Sequence, residues 1–251
     1  MLRIDDLTIR AGDAVLIDAL SLTVAPDGIT CLIGPSGCGK TSVIKWLAGI
    51  LDPALEARGT ATRDGAPLNP PDAALAYQPQ QDALFPWLTV AENAGLGLEM
   101  RGQSRRAARA RTAPLFAPFG LSGCEDRFPS ELSGGMRQRA AFLRAAFLRT
   151  IVQDTRFILL DEPFSALDAV TRLRMQDWLC ARLTDTPRGV LMVTHDLHEA
   201  TQMADRILVM SARPGRIVAD IPLTTPRAAR TEAALADTRS TLRTLLLEET
   251  S

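Results

Sequence analysis

Gly34-Pro35-Ser36-Gly37-Cys38-Gly39-Lys40-Thr41 follows directly on the apolar run Cys31-Leu32-Ile33 and opens into Ser42-Val43-Ile44. The spacing is that of a phosphate loop, G-x-x-x-x-G-K-[ST], set between a buried strand and a helix. Glycine lets main chain approach an oxyanion closely because no Cβ intervenes. Backbone N–H groups and the positive end of the following helix converge on that anion. Residues 34–42 therefore predict a cradle for the β- and γ-phosphates of a nucleotide. Lys40 supplies a mobile point charge, and the Thr41 hydroxyl is a hard oxygen suited to Mg²⁺. Of 28 basic residues only Lys40 and Lys45 are lysine, so the compact ammonium stands where the motif requires it.

A chain of 251 residues accommodates one large α/β domain or a core with an inserted subdomain. Its 46% hydrophobic and 23% charged residues are ordinary for a globular protein. A net charge of −1 leaves no basic footprint for nucleic acid. No apolar stretch approaches the roughly 18 residues that cross a bilayer, and Met1-Leu2-Arg3-Ile4-Asp5-Asp6 has no signal-peptide pattern. A cytoplasmic location is expected. Cys31, Cys38, Cys124 and Cys180 are too scattered for a zinc site and too few for a disulfide scaffold.

Alternating apolar segments outline the rest. Leu2–Arg10, a turn at Ala11-Gly12-Asp13, and Ser21–Val24 predict antiparallel strands. Ile29–Ile33, Leu75–Gln78, Phe157–Leu160, Gly189–Val193, Ile207–Met210 and Ile217–Ile221 predict further strands, with a helix over Ser42–Gly49. Residues from about 89 to 150 are rich in Ala, Leu, Arg and Glu, and predict an inserted helical subdomain. The basic run inside it, Arg101 to Arg111, suits a solvated helix face. The expected fold is α/β: a P-loop NTPase core with a mainly parallel sheet, an N-terminal antiparallel β subdomain and the helical insertion. Residues 1–225 form the expected ATPase domain, and 226–251 a helical tail.

Two other segments carry chemistry. Phe157–Leu160 runs into Asp161-Glu162-Pro163. Paired acids at the carboxyl end of a buried strand fall where open α/β sheets place ligands. Asp161 is positioned to hold Mg²⁺, and Glu162 to polarise the water that attacks a γ-phosphate. Leu132-Ser133-Gly134-Gly135 is a second glycine turn opening a helix, and again suits an anion. One nucleotide has no evident need of two phosphate-facing loops from one chain. A dimer in which the second loop closes over the partner's nucleotide resolves this. His195, at a strand end in Val193-Thr194-His195-Asp196, suits a γ-phosphate contact.

In order along the chain these segments resemble the nucleotide-binding subunits of ATP-binding cassette (ABC) transporters. They are the phosphate loop, Gln78, Leu132-Ser133-Gly134-Gly135-Met136-Arg137-Gln138-Arg139, Leu159-Leu160-Asp161-Glu162-Pro163, the Ser165-Ala166-Leu167-Asp168 turn and His195. The resemblance implies ATP and Mg²⁺ as ligands. It implies that Gln78 senses Mg²⁺ and the attacking water and links to a permease. Ser133, Gly134 and Gly135 would bind the γ-phosphate of the opposite subunit's ATP. Asp168 would set the dimer contact and His195 touch the γ-phosphate. The implied catalytic set is Glu162, His195, Gln78 and Lys40, and the metal set Thr41, Gln78 and Asp161.

The implied partners are a second copy in the ATP-bound state, an integral membrane permease and a solute-binding protein, with no nucleic acid. The subunit would sit at the inner face of the cell membrane. Leu84-Phe85-Pro86-Trp87-Leu88, Thr194-His195-Asp196-Leu197-His198 and Arg213-Pro214-Gly215-Arg216-Ile217 resemble the nitrate/sulfonate/taurine importer group, which includes thiamine-precursor carriers. Exposed, the Leu84–Leu88 cluster would be a docking surface for a permease helix. The alternative is a soluble ABC-type ATPase of translation or DNA repair; these commonly carry two cassettes, a coiled-coil insertion or zinc cysteines, which this sequence lacks. Family members also commonly stack an aromatic on adenine near Arg10-Ala11, where this chain offers the planar guanidinium of Arg10.

Overall fold

A computed structural model of the chain describes residues 1–72, 74–80, 84–145, 155–165 and 167–249. Residues 146–150 of the expected helical stretch, Ala166 and Ser251 lie outside the described residues. Two compact units separate: Met1–Tyr77, Arg156–Glu162 and Arg182–Ser251 form one, Gln78–Thr155 and Pro163–Ala181 the other.

The first unit is built on β3 (Gly28–Ile33). β8 (Gly189–Val193) and β9 (Arg206–Met210) flank it in parallel, and β7 (Phe157–Asp161) lies parallel to β8. β10 (Ile217–Pro222), antiparallel to β9, forms one edge and β6 (Leu75–Gln78) the other. Every residue of β7 and β8 is buried, as is all of β3 after Gly28. Strands covered on both faces need unbroken apolar runs rather than alternation, which is the pattern these segments show. β10 alternates half-buried and exposed positions, as an edge does.

An antiparallel sheet in the same unit has the order β2-β1-β4-β5, from β1 (Leu2–Ala11), β2 (Ala14–Val24), β4 (Glu56–Arg63) and β5 (Ala66–Pro67). Leu2, Ile4, Leu7 and Ile9 are all buried, although the step from Ile4 to Leu7 breaks a period of two. A register shift between those residues, with Asp6 at φ 52°, absorbs the extra residue and returns the apolar set to one face. β2 starts well before the expected Ser21: Ile17 and Leu20 are buried, and Ala19 at φ 46° interrupts the alternation between them. β4 has no apolar signature, since Ala61 is its one buried residue.

The second unit contains α2 (Val90–Glu99), α3 (Arg105–Thr112), α4 (Gly134–Ala145) and the start of α5 (Ala169–Asp185). Thr89 and Glu92 form a capping box on α2. In the basic run, Arg105 reaches Glu92 at 2.8 Å and Arg109 holds Asp126 at 2.6 and 2.8 Å. These exposed ion pairs add little stability.

Candidate nucleotide-binding site

β3 ends at Ile33 and α1 (Lys40–Leu47) begins at Lys40, so Gly34–Gly39 turns between them. A Cβ on Gly34 would stand 2.8 Å from the Met210 carbonyl oxygen. One on Gly39, at φ +103°, would stand 2.8 Å from Ile17. Only glycine fits a left-handed conformation in so little space. Lys40 is 6% exposed, and its ammonium donates to the carbonyls of Gly34 at 2.8 Å and Pro35 at 2.9 Å. With three donors on a flexible stem, it can trade these carbonyls for phosphate oxygens without leaving the loop. The Cys38 thiol is buried and lies 3.6 Å from the Lys40 ammonium.

Thr41 Oγ1 donates to Asp161 Oδ1 at 2.9 Å, and the Tyr77 hydroxyl lies 3.5 Å from Oδ2. The two oxygens of Thr41 and Asp161 therefore stand together beside the loop, a hard-donor pair whose chemistry fits Mg²⁺. Burial holds the Asp161 carboxyl above its ordinary range, against the lowering effect of the Thr41 bond, and the neighbouring Glu162 charge pushes the same way. A raised pKa means that the folded protein binds this proton more tightly than the unfolded chain, so stability falls as pH rises through the window above 3.8. Asp161→Asn is thus expected to raise the denaturation midpoint of the nucleotide-free protein at neutral pH. The gain is expected to vanish towards pH 3.8; urea titrations at several pH values check it.

Glu162 follows β7 with φ 45°, a left-handed conformation uncommon outside glycine. Its N–H donates to the Val193 carbonyl at 2.9 Å, tying it to the end of β8. Glu162 Oε1 lies 3.1 Å from His195 Nδ1, with the carboxylate 17% and the imidazole 57% exposed. Strain of this kind, of order 1–3 kcal/mol, persists where the surroundings over-determine it, commonly at functional sites. The β8–α6 loop that carries His195 is held by Thr194, whose hydroxyl donates to buried Glu199 on α6 (Leu197–Met203) and accepts from the Asp196 N–H at 3.1 Å.

In the second unit, Ser133 caps α4, its Oγ accepting from the Met136 N–H at 3.3 Å. Ser133, Gly134 and Gly135 are exposed, and first-turn N–H groups of a helix have no intrahelical acceptor. Asp168 accepts from the Thr171 N–H at 2.9 Å at the start of α5. That bond and one from the Thr171 side chain, with Arg139 at 3.8 Å, hold its carboxyl below the usual range. Gln78 closes β6 and is buried. Trp87 is 68% exposed and stacked on Phe85 with centroids 5.1 Å apart. Arg10 spans its own hairpin, donating to the Asp13 carbonyl at 3.2 Å.

The ABC transporter family profile matches residues 17–165. The chain belongs to the ABC transporter family. It is 46% identical over 206 residues to the taurine import ATP-binding protein TauB of Mesorhizobium japonicum, covering 82% of this chain and 77% of that protein. It is 40% identical over 210 residues to TauB of Burkholderia thailandensis, covering 84% and 78%. An ATP-binding subunit of an ABC transporter superposes with a TM-score of 0.75 over 100% of both chains at 24% identity. A dimeric ATP-binding cassette carrying ADP and phosphate also scores 0.75 at 24% identity, over 90% of this chain and 100% of that one. At that identity the likeness is one of fold, and it supports the expected α/β P-loop NTPase architecture. Sequence reasoning gave no role to Tyr77, Thr194, Glu199 or Arg213. Thr194 and Arg213 stood within quoted motifs and Tyr77 within an expected strand, and no chemistry attached to any of them.

Proposed function

We propose that this ABC ATPase is the ATP-hydrolysing subunit of an importer for taurine or a related sulfonate, peripheral at the inner face of the membrane. One observation carries the chemistry: the phosphate loop, the Thr41–Asp161 pair at 2.9 Å and the Glu162–His195 pair at 3.1 Å gather at the carboxyl ends of neighbouring strands β3, β8 and β7. Residues 34–42 seat the triphosphate and Lys40 moves onto its terminal oxygens. Thr41 and Asp161, with Gln78, would hold Mg²⁺, which supplies charge neutralisation at the β- and γ-phosphates. Glu162 takes a proton from the attacking water while His195 holds its place beside the γ-phosphate. Ser133, Gly134 and Gly135 would complete the site from a second copy, which gives exposed first-turn N–H groups an anion to bind.

The names of the relatives support the cargo, and Trp87 supports a permease, since an exposed tryptophan backed by the half-buried Phe85 is the type of anchor that dominates interfaces. A solute-binding protein would complete the transporter. No helix among the described residues is long and apolar enough to cross a membrane, so the membrane-spanning part falls to the permease. The test is ATP-dependent taurine uptake by vesicles reconstituted with permease and binding protein, with and without this chain. Failure of the chain to support uptake removes the cargo assignment. Trp87→Glu is expected to weaken permease binding about thirtyfold while leaving ATP affinity unchanged; pull-down and nucleotide titration measure the two separately.

A further inference from the structure

The hairpin between β9 and β10, residues 211–216, has no part in the chemistry above, yet it is fastened to the phosphate loop. The Gly215 N–H donates to the Leu16 carbonyl at 2.9 Å, and its carbonyl accepts from the Asp18 N–H at 3.1 Å. A Cβ on Gly215 would fall 2.3 Å from the Cys38 carbonyl oxygen, so hairpin and loop are in direct contact. Two arginines flank this glycine and differ. Arg216 forms an ion pair with Asp18. Arg213 instead donates from Nε to the Gly37 carbonyl at 2.9 Å, and among the described residues no acid pairs with it. A permanent cation with further N–H donors therefore stands against an anion-binding loop.

We propose that Arg213 is a positioning residue for the nucleotide, holding the tip of the phosphate loop through the Gly37 carbonyl and adding a fixed positive charge beside the polyphosphate. The C=O and N–H of one trans peptide point opposite ways. Drawing the Gly37 carbonyl out to Arg213 turns the Cys38 N–H into the loop, where it meets the Pro35 carbonyl at 3.3 Å. Lys40 holds the neighbouring Gly34 and Pro35 carbonyls from inside the loop, but it must leave them to bind phosphate. The Arg213 bond lies outside and need not break. The same charge raises the local concentration of an anionic ligand.

This inference rests on residues 34–42 being the nucleotide cradle. The test compares Arg213→Ala and Arg213→Lys with the parent by calorimetric titration of Mg-ATP and of Mg-tripolyphosphate, by ATPase kinetics and by thermal unfolding without nucleotide. Arg213→Ala is expected to raise both the ATP Kd and KM about tenfold, with kcat within about twofold. The loss is expected to recur with tripolyphosphate, because it concerns the phosphates, and Arg213→Lys recovers part of it through charge. The unfolding temperature of Arg213→Ala is expected to stay within about 2 °C of the parent.

A Kd for ATP unchanged within about twofold overturns the proposal. So does a loss seen with ATP but not tripolyphosphate, or one matched by a large drop in unfolding temperature. Lys40→Ala serves as the control. If it also binds ATP normally, the cradle itself is misassigned; if it fails while Arg213→Ala binds normally, only the role of Arg213 falls.

Discussion

Glu162→Gln is expected to bind ATP with the parent's affinity and to hydrolyse it at least a hundredfold more slowly, the lower range for loss of a general base. The amide keeps the size and planarity of the side chain, and the backbone bond from residue 162 to Val193 does not involve it. The left-handed φ of 45° therefore survives the change, because the end of β8 and the Asp161 side fix it. What disappears is a carboxylate able to take a proton, 3.1 Å from the imidazole of His195. A glutamine amide cannot accept that proton at any working pH. Single-turnover hydrolysis separates this chemical step from product release, and equilibrium titration measures binding independently. A near-parental single-turnover rate would remove Glu162 from the proton transfer and leave it a structural acid.

The sequence was most legible where buried strands meet glycine turns. Phe157–Leu160 and Gly189–Val193 read as strands because both faces are covered, and nothing but apolar residues satisfies that position. The phosphate loop read equally well, since its glycines answer to space: the Met210 carbonyl lies where a side chain on Gly34 would go. Legibility failed where long-range pairing overrides local pattern. β4 is a strand because its backbone pairs with β1, while its side chains are exposed or half-buried apart from Ala61 and carry no apolar period. The Arg213–Gly37 bond joins residues 176 apart in sequence and depends on a glycine packed against a carbonyl. The motif around Arg213 is visible in the sequence, but its contact exists only in the fold. Glu162 was read as an acid at a strand end; its left-handed backbone, which aims that acid, had no sequence signal.

Lys40→Ala is expected to lower ATP affinity about a hundredfold, from loss of roughly two charge-assisted hydrogen bonds at about 1.5 kcal/mol each. The same substitution acts on the nucleotide-free protein, because the ammonium is already employed there. Its bonds to Gly34 and Pro35 satisfy carbonyls that curve into the loop, and its stem is packed at 6% exposure. Removing it takes the ammonium from the buried Gly34 carbonyl, while the Pro35 carbonyl keeps the Cys38 N–H at 3.3 Å, at a cost of about 1–3 kcal/mol. Lys40→Met separates the two effects: it restores most of the stem's packing but neither the charge nor the donors. Both variants are expected to show the same affinity loss, with the methionine protein the more stable in urea. ATP binding by Lys40→Met within about threefold of the parent would mean that the loop's N–H groups alone hold the triphosphate. The lysine would then be a fastening of the loop, not a ligand, and the ammonium's position between two carbonyls would be its working state.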